Sequence, residues 1–318
     1  MSDHASHPPR QPPPLPRIPA RDPRGHKGTF GTVLVVGGCC RGDARMIGAP
    51  ALSAHAALRA GAGLVQLAMP APIIQAGISL CPSTTGVALR THDDGSLIAH
   101  EAAAQLDEAL ARATAVAVGM GLGDAPDAAP VVLRLIQHED APVVIDADAL
   151  NVLSQVPDLW RDFRAPCVLT PHPGEFIRLA SVLRIAHDPT DAASRPLAAE
   201  ALAQRLGAIV VLKGAGTVVS TGHETWVCER GHACLATAGT GDVLAGVIAS
   251  LAAQHAGTPS SPRMTVPRLS LFDIARLGVQ AHALAGEMWA SRHDSPSGLL
   301  AMELADLIPE AIESLRHS

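Results

Sequence analysis

The 318-residue sequence contains no tyrosine, and its four phenylalanines and three tryptophans make aromatic side chains only 2% of the chain. So few rings leave little surface for nucleobases to stack on. A net charge of −6 supplies no counterion-release drive toward a phosphate backbone, and no nucleic-acid partner is expected. Long apolar runs are also missing. The longest uncharged stretch lies between Arg59 and Arg90 and is broken by Gly61, Gly63, Pro70, Pro72, Gly77, Pro82 and Gly86, whereas a membrane helix needs about 20 apolar residues. The N-terminus lacks the basic-then-apolar order of a secretory leader. The six cysteines (Cys39, Cys40, Cys81, Cys167, Cys228 and Cys234) show no CxxC spacing. They read as reduced thiols of a cytoplasmic protein, with the adjacent Cys39 and Cys40 as small buried hydrophobes.

What is present is a 47% apolar composition, carried by Ala, Val, Leu and Ile, which excludes a disordered chain. Residues 1–24 hold eight of the 26 prolines and read as a disordered, polyproline-like tail. One domain is expected over 25–318. There, β-branched runs alternate with Ala/Leu-rich amphipathic stretches, the rhythm of strand, crossover helix and parallel strand. Strands are expected at 32–36, 64–68, 115–119, 143–146, 167–170 and 209–213, apolar on both faces as befits a parallel sheet covered by helices on two sides. Helices are expected at 49–60, 101–112, 129–138, 196–206, 241–254, 271–290 and 299–315, and a hairpin at 217–221 and 224–228 turning at Gly222. Ligands of such sheets bind beyond the carboxyl ends of the strands, which directs attention to the segments that follow them.

The most specific segment is Ala238-Gly239-Thr240-Gly241-Asp242, leading into an apolar helix. Small residues leave the backbone N–H groups uncovered, and the helix start adds positive partial charge, so an anion can rest there. Asp242 lies in the first turn, where the helix dipole is expected to keep it ionised. An ionised base beside an anion hole suits phosphoryl transfer, the amides neutralising charge while Asp242 takes a proton from the attacking hydroxyl. Lys213-Gly214-Ala215-Gly216-Thr217 offers amides and a cation to phosphates, without the Walker spacing. In Thr170-Pro171-His172-Pro173-Gly174-Glu175 the prolines fix the direction of His172, and Glu175 is as suited to capping as to catalysis. Asp146 and Asp148, after another strand, suit Mg²⁺ held through water, although a helix cap is the better expectation for Asp148. Gly119-Met120-Gly121-Leu122-Gly123 is a weak glycine signal. Gly37-Gly38 fails the GxGxxG spacing, and Met69 and Pro70 stand where a dinucleotide-binding acid belongs, which excludes a hydride-transfer Rossmann domain.

Together these segments resemble the ADP-dependent NAD(P)H-hydrate dehydratase family of the ribokinase-like superfamily. The matching stretches are KGTFGTVLVVGG (27–38), GAPALSAHAALRAGAGLV (48–65), VGMGLG (118–123), VVIDADALNVL (143–153), LTPHPGE (169–175), VVLKGAGTVV (210–219) and ATAGTGDVLAGVIASL (236–251). The AGTGD stretch marks the superfamily. DADALN, TPHPGE and KGAGT in series mark the dehydratase branch. The resemblance implies an α/β fold, a ribokinase-like three-layer sandwich with a mostly parallel central sheet and helices on both faces. It implies a repair enzyme that restores the S epimer of hydrated NADH or NADPH by phosphorylating the added hydroxyl from ADP, with Mg²⁺, and eliminating phosphate to leave AMP. Ala49, Gly123, His172 and Asp242 would then contact the hydrated cofactor, and Lys213, Gly214, Ala215, Gly216, Thr217 and Gly241 the adenine nucleotide. Asp242 would be the base beside Gly239 and Gly241, with the protein ligands of the metal left open.

His232 and Cys234 replace a common Asn and Gly, and Met120 a common Pro, changes expected to retune the substrate pocket. A homo-oligomer, a tetramer by the resemblance, is expected, and the epimerase activity of some relatives is expected to be absent. The alternatives are an ATP-dependent kinase of a small vitamin precursor such as a thiazole or pyrimidine alcohol, and a non-catalytic nucleotide-binding protein.

Overall fold

The short apolar runs extend into strands and the Ala/Leu-rich stretches coil between them, as a computed structural model of the chain shows for residues 13–256 and 268–317. The strands are β1 (Thr32–Val36), β2 (Leu64–Pro70), β3 (Thr85–Leu89), β4 (Ala115–Val118), β5 (Val143–Ile145), β6 (Cys167–Leu169), β7 (Ile209–Leu212), β8 (Val218–Ser220) and β9 (Thr225–Val227). The helices are α1 (Gly48–Arg59), α2 (Ile74–Leu80), α3 (Ala99–Leu110), α4 (Ala129–Ile136), α5 (Asp148–Leu153), α6 (Pro173–Leu183), α7 (Arg195–Leu206), α8 (Thr240–His255), α9 (Leu271–His293) and α10 (Ala301–His317). One nine-stranded sheet runs β3-β2-β1-β4-β5-β6-β7-β8-β9. It is parallel from β3 to β7, and only the β7-β8-β9 edge is antiparallel.

Alternation along the strands divides the core into two layers. Val33 and Val35 of β1 face a cluster built with α1, α2, α8, α9 and α10. Leu34 and Val36 face the opposite cluster, built with α3 to α7. This is the three-layer sandwich the resemblance implies. Small residues set its spacing: a methyl group added at Gly246 of α8 would lie 2.1 Å from the Ser53 carbonyl of α1, so the two helices meet almost backbone to backbone. That proximity explains a core with so few aromatic rings. The chain leaves β1, adds β2 and β3 on one side, then crosses to β4 on the other, which opens the switch-point crevice between the carboxyl ends of β1 and β4.

Among the elements outside the expected helices and strands are α2 and β3. The β3 side chains are mostly exposed, so no apolar run betrays the strand, and α2 begins without a side-chain cap. The expectation of a disordered tail over 1–24 divides. Residues 1–12 lie outside the described residues, whereas 13–24 carry no helix or strand yet are anchored. Ile18 is buried and its N–H donates to the Leu315 carbonyl at 3.3 Å. The buried Arg276 donates to the Pro13 carbonyl at 2.7 Å. Arg21 donates to the Gly61 carbonyl at 2.8 Å and lies 3.5 Å over the Phe30 ring. Composition favours an extended chain, but side chains spaced along it give that chain a surface to lie on. Among the described residues no helix is long and apolar enough to cross a membrane.

Candidate active site

Two helix starts meet at the carboxyl edge of the sheet. Neither α1, with Ile47 before its first turn, nor α8, with Gly239 before its own, has a side chain capping its first N–H groups. Uncapped amides and the positive end of the helix dipole form an anion site. At Gly239 the backbone takes φ +90°, and an added Cβ would fall 2.9 Å from both Ala301 Cβ and Leu52 Cδ1. Only glycine suits that turn, and Leu52 is one turn into α1. A methyl group built on Gly241 would lie 3.4 Å from Lys213 Nζ and 3.9 Å from Asp146 Oδ2. The ends of β5, β7 and α8 therefore converge on one point.

Charge at that point is organised around a buried pair. Lys213 Nζ lies 2.5 Å from Asp146 Oδ1 and 3.9 Å from Glu175 Oε2, and the Thr170 hydroxyl donates to the same Asp146 oxygen at 2.7 Å. Burial opposes the Lys213 ammonium, but the Asp146 and Glu175 carboxylates outweigh it and its pKa is raised. Lys213 is thus neither a free phosphate-binding cation nor a solvated surface charge. It is a neutralised cation within reach of the α8 amides. Asp242 is pushed up to about 7 by burial first and by Asp146 second, against the pull of Lys213. This corrects the expectation that the helix dipole keeps Asp242 fully ionised: desolvation among carboxylates exceeds a dipole contribution that is typically about 0.3–1 kcal/mol. Glu175 is likewise raised to about 7, chiefly by burial.

His172 and Glu175 form a capping box at the start of α6. His172 Nδ1 accepts from the Gly174 N–H at 3.0 Å, and Glu175 Oε2 accepts from the His172 N–H at 2.7 Å. Glu175 therefore caps and also faces Lys213. With Nδ1 accepting, the ring hydrogen sits on Nε2, 3.4 Å from Glu175 Oε1, and burial and nearby Lys213 lower the ring's pKa. Asp148 does not cap α5 through the preceding position, which belongs to Ala147 at φ +51°. Its Oδ2 instead accepts from the Gly123 N–H at 2.8 Å and holds the third glycine of the 119–123 loop. Asp146 and Asp148 are therefore committed to protein partners rather than set as a matched pair for a metal. Among the described residues no three His, Cys, Asp or Glu gather as a metal-ligand set.

The Lys213–Thr217 turn closes on itself, the Thr217 hydroxyl donating to the Gly214 carbonyl at 3.0 Å. The buried Arg195 holds it from beneath, donating to the Leu212 and Lys213 carbonyls at 3.0 and 3.3 Å. Arg195 carries no signal in the sequence, since it lies in a helix start with no motif around it. Ala49 lies on the other side of the crevice, its Cβ 3.5 Å from where a Gly121 side chain would begin. The residues expected to retune the pocket have local partners of their own. Met120 and Cys234 are buried, Met120 accepting the Gly38 N–H through its carbonyl at 3.1 Å. His232 accepts from the Cys234 N–H at 3.3 Å.

A family model described as NAD(P)H-hydrate dehydratase matches residues 33–310. The ADP-dependent (S)-NAD(P)H-hydrate dehydratase of Neisseria meningitidis is 38% identical, covering 90% of this chain and 86% of that protein. The chain spans about half the length of the other curated relatives it matches, bifunctional NAD(P)H-hydrate repair enzymes. Among solved structures, an ADP/ATP-dependent NAD(P)H-hydrate dehydratase from Bacillus subtilis, co-crystallised with ATP and Mg²⁺, superposes with a TM-score of 0.72 at 29% identity, covering 94% of this chain and 95% of that one. A ribokinase-like superfamily protein from Enterococcus faecalis superposes at 0.73 and 24% identity over 95% and 93% of the two chains, a likeness of fold.

Proposed function

Because this chain belongs to the NAD(P)H-hydrate dehydratase family, we propose that it restores the S epimer of hydrated NADH or NADPH at the expense of ADP. The observation that carries the reading is the meeting of Asp242, raised to about 7, with the uncapped amides of α8 and the Lys213–Asp146 pair. In the first step the substrate hydroxyl oxygen attacks the terminal phosphorus of ADP. Asp242 accepts the hydroxyl proton, the bond to the bridging oxygen breaks, and AMP leaves. In the second step the new phosphate ester departs with the former hydroxyl oxygen and a ring proton is lost, so the double bond returns. The sum is hydrate plus ADP giving reduced cofactor, AMP and phosphate.

A base serves best when its pKa lies near the working pH, and such assistance contributes typically about 10²–10⁴-fold. The amides of residues 239–241 meet the charge on the transferred group. Ala49 and Gly123 border the hydrated ring, His172 donates from Nε2, and the turn Lys213, Gly214, Ala215, Gly216 and Thr217 together with Gly241 receives the nucleotide. With no set of three ligands among the described residues, Mg²⁺ fits here in its usual manner, carried mainly by phosphates and water with one or two carboxylates nearby. Asp146 is the carboxylate in place, its Oδ2 3.9 Å from a methyl group built on Gly241. When bound, the ion offsets phosphate charge.

Incubating the protein with NADH hydrate, Mg²⁺ and either ADP or ATP tests the reading. Recovery of the near-ultraviolet absorbance of NADH with one AMP and one free phosphate per turnover is the expected result. A stable phosphomonoester instead would make the protein a kinase and overturn it. We further propose a homo-tetramer, supported by exposed apolar side chains such as Ile177, Leu197 and Leu300; light scattering at the mass of one chain would contradict this.

A further inference from the structure

The loop that enters α8 lies along one face of α9 and is held there at successive turns. The Cys228 thiol points to Gln280 Oε1 at 3.5 Å. His282 Nε2 lies 2.9 Å from the Thr240 carbonyl oxygen. Gly286 leaves room for the Leu235 side chain, which an added methyl group would meet at 2.7 Å, and its carbonyl accepts the Cys234 thiol at 3.3 Å. Glu287 accepts from the Gly231 N–H at 2.8 Å and from Arg230 Nε at 3.1 Å. His282 and Gly286 are one helical turn apart, so a single stripe of α9 grips the loop at its middle and at its end.

The contact at the end differs in kind from the others. A carbonyl only accepts, so His282 must donate, and the hydrogen of its neutral ring sits on Nε2. Burial pushes its pKa down to about 4, which keeps the ring neutral where the enzyme works. The Thr240 carbonyl and the Gly241 N–H are the two ends of one planar peptide unit. Fixing the oxygen at one end fixes the direction of the hydrogen at the other. Accepting a hydrogen bond also polarises the unit and strengthens its N–H as a donor.

We propose that His282 is a positioning residue of the anion site: by donating to the Thr240 carbonyl it aims the Gly241 N–H at the nucleotide phosphate. The inference rests on the reading above only in taking that phosphate to be ADP's. His282 itself touches neither substrate nor nucleotide and acts through the peptide plane. Its removal therefore leaves the KM for the hydrate unchanged and falls on the nucleotide.

The test compares His282→Leu, which removes the donor, with His282→Gln, whose amide nitrogen reaches the place of Nε2. ADP binding is measured by titration calorimetry with no hydrate present, well below each protein's melting temperature. His282→Leu is expected to weaken ADP binding about tenfold, the scale of one net hydrogen bond, with a similar fall in kcat. His282→Gln is expected to recover most of both. If His282→Leu fails to fold, His282→Asn replaces it, since its shorter amide cannot reach the carbonyl. Unchanged ADP affinity in a folded donor-less variant would overturn the proposal. So would equal impairment of the donor-less and Gln variants, which would mean that ring packing alone matters. Wild-type protein that binds ADP without restoring NADH hydrate would instead refute the proposed reaction and leave the binding comparison valid.

Discussion

Replacing Asp242 with asparagine is expected to lower turnover of hydrated cofactor by about 10²–10⁴-fold, the range that general-base assistance contributes. The amide keeps the shape of the carboxylate and cannot take the proton. ADP affinity should hold or rise, because the substitution removes a negative charge from beside the phosphates while the amides of 239–241 remain. Turnover measured together with ADP calorimetry separates the two effects. Loss of both activity and binding would move Asp242 from base to scaffold, and retained turnover would remove it from the mechanism. Stability gives an independent sign. Folding raises the Asp242 pKa from an ordinary 3.8 to about 7, so the folded chain binds this proton more tightly than the unfolded one. The group's contribution to stability therefore falls as pH rises across that interval and is constant above it. The Asn variant lacks this slope.

The second large effect concerns the pair beneath the site. Lys213→Met leaves Asp146, almost wholly buried, with the Thr170 hydroxyl but without its cation. Breaking a buried pair from one side costs about 3–5 kcal/mol. The lower end is expected here, because 19% of the Lys213 side chain reaches solvent. Denaturant titration near neutral pH reads this loss directly. Adding Asp146→Asn to Lys213→Met should restore much of the stability, since no uncompensated charge then remains. It should not restore ADP affinity if the ammonium also faces the nucleotide. A double variant no more stable than Lys213→Met would show that the pair is not the source of the loss. A double variant that binds ADP like the wild type would reduce Lys213 to a structural role.

The strands β1, β4 and β7 are legible in the sequence because burial on both faces writes them as unbroken apolar runs. The edge strand β3 faces solvent and carries no such mark. The AGTGD stretch is legible as an anion site because its chemistry is local: small residues, a helix start and one acid within five positions. The network around Lys213 is not, since Asp146, Thr170, Glu175 and Lys213 come from the ends of β5, β6 and β7 and from α6, and meet only when the sheet forms. For the same reason the protonation of Asp242 is not legible in the sequence. The dipole of its own helix is visible in the chain, while the burial and the neighbouring Asp146 that outweigh it are not. His282 lies in an Ala-rich helix with no motif, and only the fold brings it to the Thr240 carbonyl. The Asp146 and Asp148 carboxylates are neighbours in sequence, and the fold turns them to different partners, Lys213 and the Gly123 N–H.

The most direct test of the account is the pH profile of kcat/KM for NADH hydrate with ADP, measured in parallel on the wild type and on Asp242→Asn. The wild-type rate is expected to climb through about pH 7 as Asp242 loses its proton and to level off above, with Glu175 sharing the transition through Lys213. The residual rate of the variant should lack most of that rise. A wild-type profile already flat on the acid side of neutrality, or the same climb in both proteins, would show that Asp242 is not the group that receives the proton.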